Sequence, residues 1–155
     1  MRETVGDIFT DFVQPDAIVI TTNGDINTAG GLIMGAGIAK DARARFPGLD
    51  VALGTLVKEK GNVVNLVKTK DLIGNPATIV SLPTKHSFKD EYSDLALIMR
   101  GLVQLVIMAN EMKWSEVVMP RPGALNGKLD FNTQVRPLCE SFLDDRFIVV
   151  EKDAN

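Results

Sequence analysis

Two short stretches concentrate residues that can meet a phosphate group with backbone rather than side chain. The first is TTNGD at 21–25, followed by GGLIMGAGIAK at 30–40 and then the basic amphipathic pattern AKDARARF at 39–46. The second, PRPGALNGKLDF at 120–131, carries Gly123 and Gly127. Glycine is costly inside a helix and permissive just before one. Gly30, Gly31, Gly35 and Gly37, crowded at one helix start, therefore point to unusual dihedrals or to something approaching the backbone closely. Free N–H groups and the partial positive charge of a helix N-terminus favour phosphate. Two such loops on one sheet edge hold a diphosphate between them. Neither stretch is a nucleotide fingerprint alone. GAGIAK (35–40) places Lys40 where a dinucleotide fold wants glycine or alanine, and GALNGK (123–128) is one residue short of a phosphate loop and lacks the following Ser or Thr. Turn glycines without a ligand are the plain alternative for either loop taken singly.

Between these stretches lies LPTKHSFKDEY (82–92), where Lys85 adjoins His86, the one histidine of the chain. An amine becomes a nucleophile when partly desolvated or close to other cations. An imidazole serves as acid or base near neutrality. A surface lysine and a loop histidine satisfied by water are the alternatives. Cys139 lies in an apolar helix pattern and reads as a buried thiol. No His/Cys cluster has metal-ligand spacing, so neither a metal nor a cofactor is expected.

The elements that must position these residues follow from periodicity. Short β-branched runs recur at 16–22, 61–68, 77–83, 115–120 and 146–151, with VGDIF near the start as a less regular sixth. Several are nearly continuous in apolar residues, the pattern of strands covered on both faces. Helical patterns fall between them. One begins in AGIAKDARARF, with Ile38, Ala42 and Phe46 on one face and Lys40, Arg43 and Arg45 on a solvated one. A second spans 49–61 and ends at Gly61. The longest, 92–113, is capped by Ser93 or Asp94, and the last covers about 132–144, with its first turn close to Pro137. DLIGNPA (71–77) has the turn chemistry to join two antiparallel strands. Strands alternating with helices predict one three-layer α/β domain over 1–155 with a largely parallel or mixed sheet. In such sheets ligands collect beyond the carboxyl ends of the strands, where both glycine-rich loops fall.

The totals agree with that frame. The 155 residues carry a net charge of -3, 45% hydrophobic and 24% charged residues. That balance fits one globular core and speaks against broad electrostatic binding to nucleic acid. A single cysteine suits a reducing cytosol, and MRETVGDIF has no apolar signal core, so a cytoplasmic monomer is expected. The longest apolar stretch, 95–109, is interrupted by Arg100 and Gln104 and reads as too short and too charged to span a membrane.

GDI at 6–8, AIVITTN at 17–23 and the glycine-rich turn into a helix resemble the opening of a macrodomain. MGAGIAKDARARFPG (34–48), LPTKHSFKDEY (82–92) and MPRPGALNGKLDF (119–131) are similar to the branch containing the terminal ADP-ribose protein glycohydrolase and related phage macrodomain-like proteins. The resemblance covers almost the whole chain, with three motifs in order. It implies a three-layer α/β/α macrodomain with a mixed central sheet that binds ADP-ribose or a close derivative. It further implies hydrolysis of an ADP-ribosyl bond on protein or nucleic acid, or of ADP-ribose 1″-phosphate. A non-catalytic ADP-ribose module is the alternative.

The same resemblance distributes roles. Asp7, followed by Ile8, matches the aspartate that hydrogen-bonds the adenine amino group, a task suited to an acceptor. Asn23 matches the asparagine at the distal ribose; an Asx turn is its alternative. Asp25 has less to recommend it. Gly35, Ala36, Gly37 and Ile38 match the first diphosphate stretch, with Met34 against the sugar or simply buried. Pro122, Gly123, Ala124, Leu125, Asn126 and Gly127 match the second. There the family commonly carries G-C-G, and Leu125 places a Cβ that turns the backbone away from positive φ. Lys85 matches the lysine that attacks the distal ribose C1″ in the glycohydrolase. Its partner aspartate falls on Gly127, flanked by Asn126 and by Asp130, whose alternative role is to cap the last helix.

Overall fold

The computed structural model of the protein describes residues 1–153. Six strands, β1 (Arg2–Gly6), β2 (Ala17–Thr22), β3 (Asn65–Lys70), β4 (Pro76–Pro83), β5 (Val117–Pro120) and β6 (Phe147–Lys152), form one mixed sheet in the order β1-β6-β5-β2-β4-β3. All neighbours are parallel except β3, which pairs antiparallel with β4. The 71–77 turn joins that hairpin as its residues predict. Asp71 Oδ1 accepts from Ile73 N and Asn75 N, and Gly74 supplies a positive φ of 90°.

Side chains alternate across the sheet, which is how β-branched runs serve two layers. Ile18 and Ile20 of β2 and Ile148 and Val150 of β6 pack under α1 (Gly37–Arg45) and α2 (Leu49–Lys60). Ala17, Val19, Phe147 and Val149 face α3 (Leu95–Met112) and α4 (Arg136–Phe142). The result is the three-layer α/β/α arrangement, with the carboxyl ends of five parallel strands on one edge.

The first strand departs from the sequence expectation. VGDIF was the sixth candidate, but pairing with β6 ends at Gly6. Asp7 Oδ1 accepts from Phe9 N at 2.7 Å and Asp11 Oδ2 accepts from Asp7 N at 2.7 Å, so local side-chain acceptors turn the chain out of the sheet. The last helix also differs. Phe131–Val135 form a π-helical turn ahead of α4, capped by Asp130 Oδ1 accepting from Thr133 N at 3.0 Å. Pro137, near the start of α4, has no N–H to lose there.

α3 is entered through Asp94 rather than Ser93. Asp94 Oδ1 accepts from Ala96 N and Leu97 N. By length and composition this 18-residue helix reaches what a membrane span needs, a correction to the sequence reading. Ile98, Leu102 and Leu105 are buried in the core, while Met99, Val103 and Ile107 are exposed beside Arg100 and Asn110.

Candidate functional site

A cleft of about 1030 Å³ opens at the carboxyl edge of the sheet. Its walls are the loop from β2 to α1, the loop from β5 to the π-helical turn, the Asp7–Phe9 turn after β1, and the segment after β4 that carries Lys85 and Phe88. This is the crevice where parallel sheets gather ligands.

The first loop is built around amides. Asn23 Nδ2 donates to Ile33 O at 3.0 Å, while Asn23 Oδ1 accepts from Asp25 N at 2.9 Å. One N–H and one acceptor lone pair of that amide remain for a ligand. Asn27 Oδ1 accepts from Ala29 N and Gly31 N, and Leu32 N donates to Asp50 O of α2. Leu32 and Met34 are buried beneath the loop, so Met34 is core as well as cleft wall. The chain then runs exposed through Gly35 and Ala36 into α1, whose first turn has no side-chain cap. The residues of that uncapped start line the cleft, and free N–H groups of a helix start suit an anion.

The second loop crosses towards the first. Gly37 holds a φ of 58°, and a Cβ there would lie 2.6 Å from Asn126 Nδ2. The positive φ favours glycine there, and the approach of the Asn126 side chain brings the two loops together over the cleft. Gly123 (φ 72°) and Lys128 (φ 56°) take the left-handed conformations of the second loop. Leu125 does not; its side chain is 72% exposed on the rim. The left-handed positions of the loop are thus Gly123, where no Cβ resists them, and Lys128, which adopts one despite its Cβ.

Lys85 reaches this loop from the opposite wall. Its backbone is fixed by Asn62 Nδ2, which donates to Lys85 O at 3.0 Å, and by Gly24 N, which donates to His86 O at 3.1 Å. The amine then donates to Asn126 O at 3.1 Å. Ser93 N donates to Gly127 O at 3.0 Å, tying the next residue of the loop to the entrance of α3. Gly127 is enclosed: a Cβ there would fall on Ser93 Oγ and lie 2.6 Å from Gly123 O. An aspartate at 127 is therefore sterically excluded by this loop conformation.

At the other end, Asp7 is exposed and keeps Oδ2 free of its turn, while Ile8 is buried. Phe9 packs against Phe46 at 6.0 Å between ring centroids, with the Arg45 guanidinium 5.0 Å over its ring. Arg121 lies 4.4 Å over the Phe131 ring and pairs with Glu151 at 3.2 Å.

Asp7, Ile8, Asn23, Met34, Gly35, Ala36, Gly37, Ile38, Lys85 and Gly123 to Gly127 all line one cleft. Pro122 does not; it is buried behind the loop. His86 is exposed and turned away, its Nε2 2.8 Å from Asp94 Oδ2. That imidazole holds the Asp94 carboxyl below its ordinary range, with the helix N–H groups of Leu97 and Ala96 adding to the effect. Asp25 Oδ2 accepts from Ser87 Oγ and Phe88 N, so it anchors the segment that carries Lys85. Cys139 is buried, and desolvation pushes its thiol up to about 12. Arg121, Phe88 and Ser93 line the cleft without having been singled out for it. Phe88 and Arg121 sit inside the two motifs and were legible as neighbours of Lys85 and Gly123; Ser93 gave no signal beyond helix capping.

No protein-family model matches the chain. Over 114 residues, 71% of its length, it is 32% identical to proteins of Mycobacterium bovis and Mycobacterium tuberculosis named DNA ADP-ribosyl glycohydrolase. The match covers 32% of each, so the chain spans about a third of the length of these curated relatives. The solved macrodomain of Mycobacterium tuberculosis DarG is similar with a TM-score of 0.77, 28% identity and 98% of both chains covered. The macrodomain of Thermus aquaticus DarG gives 0.73 at 22% identity, covering 98% of this chain and 97% of that one. Thermosipho africanus DarTG in complex with ADP-ribose gives 0.75 at 19% identity, over 96% of this chain and 40% of that one. The last two likenesses concern the fold.

Proposed function

We propose that this chain, which belongs to the macrodomain family, binds ADP-ribose in the cleft and hydrolyses an ADP-ribosyl bond on DNA. The observation that carries the binding is the meeting of the two glycine-rich loops at Gly37 and Asn126. Exposed backbone at Gly35 and Ala36 and the uncapped start of α1 present N–H groups to a diphosphate. Asp7 at one end offers a carboxylate oxygen to the adenine amino group. The remaining N–H and lone pair of Asn23 meet the hydroxyls of the distal ribose.

Lys85 is the group that acts at that ribose. A lysine here is a mobile cation or, once it gives up a proton, a nucleophile. Its amine is engaged with Asn126 O, so that bond is exchanged for substrate before it acts. DNA is preferred to protein as the bearer of the ADP-ribose because the two curated relatives are named for that substrate. The protein works as a cytoplasmic monomer in this reading.

Calorimetry with ADP-ribose tests the binding, and release of ADP-ribose from an ADP-ribosylated oligonucleotide tests the chemistry. Lys85→Ala is expected to lower turnover about a hundredfold while leaving the fold intact. Unchanged turnover removes lysine from the reaction. Binding without turnover in the unaltered protein instead supports a non-catalytic ADP-ribose module. The enclosed Gly127, which leaves no room for a carboxylate in the second loop, favours that second reading.

A further inference from the structure

Among the described residues, one buried side-chain polar atom lacks a hydrogen-bond partner: Ser93 Oγ. Ser93 is 7% exposed and lines the same cleft as Lys85. Buried hydroxyls are normally paired, because an unmade hydrogen bond costs the full desolvation of the group. This one is not used by its helix, since Asp94 supplies the cap of α3. Nor is it used by the loop above it, which bonds to Ser93 through the backbone N–H instead.

The surroundings locate where a partner would come from. The hydroxyl stands where a side chain on Gly127 would have to go. Lys85 Nζ and Ser93 N take hold of consecutive residues of the second loop, Asn126 and Gly127, from the same wall of the cleft. The two ends of their own segment are closed by Asp94 N, which donates to Thr84 O at 2.9 Å. An amine and an unpaired hydroxyl are therefore presented together beneath one dipeptide, Asn126–Gly127.

We infer that Ser93 is a ligand-binding residue of the cleft. Its hydroxyl is a hydrogen-bond donor held beneath Gly127 and given to an oxygen of the ribose–phosphate end of the ligand when Asn126 and Gly127 shift. Exchange of the Lys85–Asn126 bond for substrate and exposure of the Ser93 hydroxyl are then one loop movement. The inference rests on the ADP-ribose reading above, and it supplies from the segment entering α3 a polar atom that position 127 cannot carry.

Ser93→Ala separates this role from a structural one. Removing an unpaired hydroxyl costs the free protein nothing, so thermal unfolding without ligand should occur at the same temperature or higher. ADP-ribose affinity should fall about tenfold, and the ligand-induced rise in unfolding temperature should shrink with it. Equal affinity in the two proteins overturns the inference, as does a matching loss of unliganded stability, which would make Ser93 a packing residue. If the unaltered protein itself fails to bind ADP-ribose in the same titration, the ligand assignment falls. Binding by it with an unmoved Ser93→Ala strikes the serine alone.

Discussion

Between Asn23 and α1 the chain ties itself down mostly from within and onto α2, with Gly24 and Asp25 also bonded to the segment after β4. Asn23 bridges Asp25 and Ile33, Asn27 gathers Ala29 and Gly31, Ile33 N returns to Asp25 O, and Leu32 hangs from Asp50. Between Pro120 and Phe131 the internal ties are two short turns, Lys128 N to Leu125 O and Leu129 N to Gly123 O. The middle of that loop is held from outside by Lys85 and Ser93. A loop held by its own amides over buried Leu32 and Met34 is a preformed surface. A loop held by residues that also face the ligand can change when those residues change partner. In the proposed function, the first is the fixed cradle for phosphate and the second is where binding couples to chemistry.

The strongest way to break this contrast is to spoil the support of the first loop from below. Gly54 in α2 packs directly against the Gly30 carbonyl, and a Cβ there would also lie 2.9 Å from Leu32 N. Both obstacles are backbone and cannot swing aside. Gly54→Ala should cost about 3 kcal/mol in urea unfolding, lower the unfolding temperature by about 10 °C, and abolish most ADP-ribose affinity. Retained affinity in a destabilised protein would show that the first loop is not a rigid template.

A smaller step compares one amide from each loop. Asn23→Ala removes two loop bonds and should cost about 1–2 kcal/mol, with faster hydrogen exchange at Asp25 and Ile33. Asn126→Ala keeps the carbonyl that receives Lys85, and stability should move by less than about 0.5 kcal/mol. Equal losses from the two substitutions would dissolve the distinction between a self-held and a borrowed loop.

The same distinction explains what was legible before any coordinates. The first loop is visible in sequence because its glycines and asparagines act within a few residues, where turn chemistry can be read directly. Asp94, Gly61 and the 71–77 hairpin turn were readable for the same reason. The second loop depends on partners far along the chain, such as Lys85, 41 residues from Asn126. Its left-handed residues fall at Gly123 and Lys128, not at Leu125, and no local rule marks Lys128 for that conformation. Ser93 was hidden most completely. A serine just before a helix reads as a cap, and the Asp94 cap together with the packing of Gly127 against Ser93 shows otherwise.

The smallest effect concerns pH, and it too divides the loops. The first is fastened largely by neutral amides and backbone, whereas the segment that holds the second begins α3 on the Asp94 carboxylate. His86 and the N–H groups of Leu97 and Ala96 lower the Asp94 pKa in the folded protein. A depressed carboxylate pKa adds stability above the unfolded value near 3.9 and loses it as pH falls through the lower folded value. The contribution is therefore complete at neutral pH and fades only below about pH 4. Asp94 is 41% exposed, so solvent screening keeps it under about 1 kcal/mol. Hydrogen exchange from pH 6 down to pH 3, corrected for intrinsic rates, should show Ala96 and Leu97 losing protection before Gly31 and Ile33. Asp94→Asn should remove most of that pH dependence, because a neutral amide accepts from the same helix N–H groups at every pH. Parallel loss of protection in both regions would mean that the second loop is not held separately, and that its coupling to Lys85 and Ser93 must be sought in the whole domain.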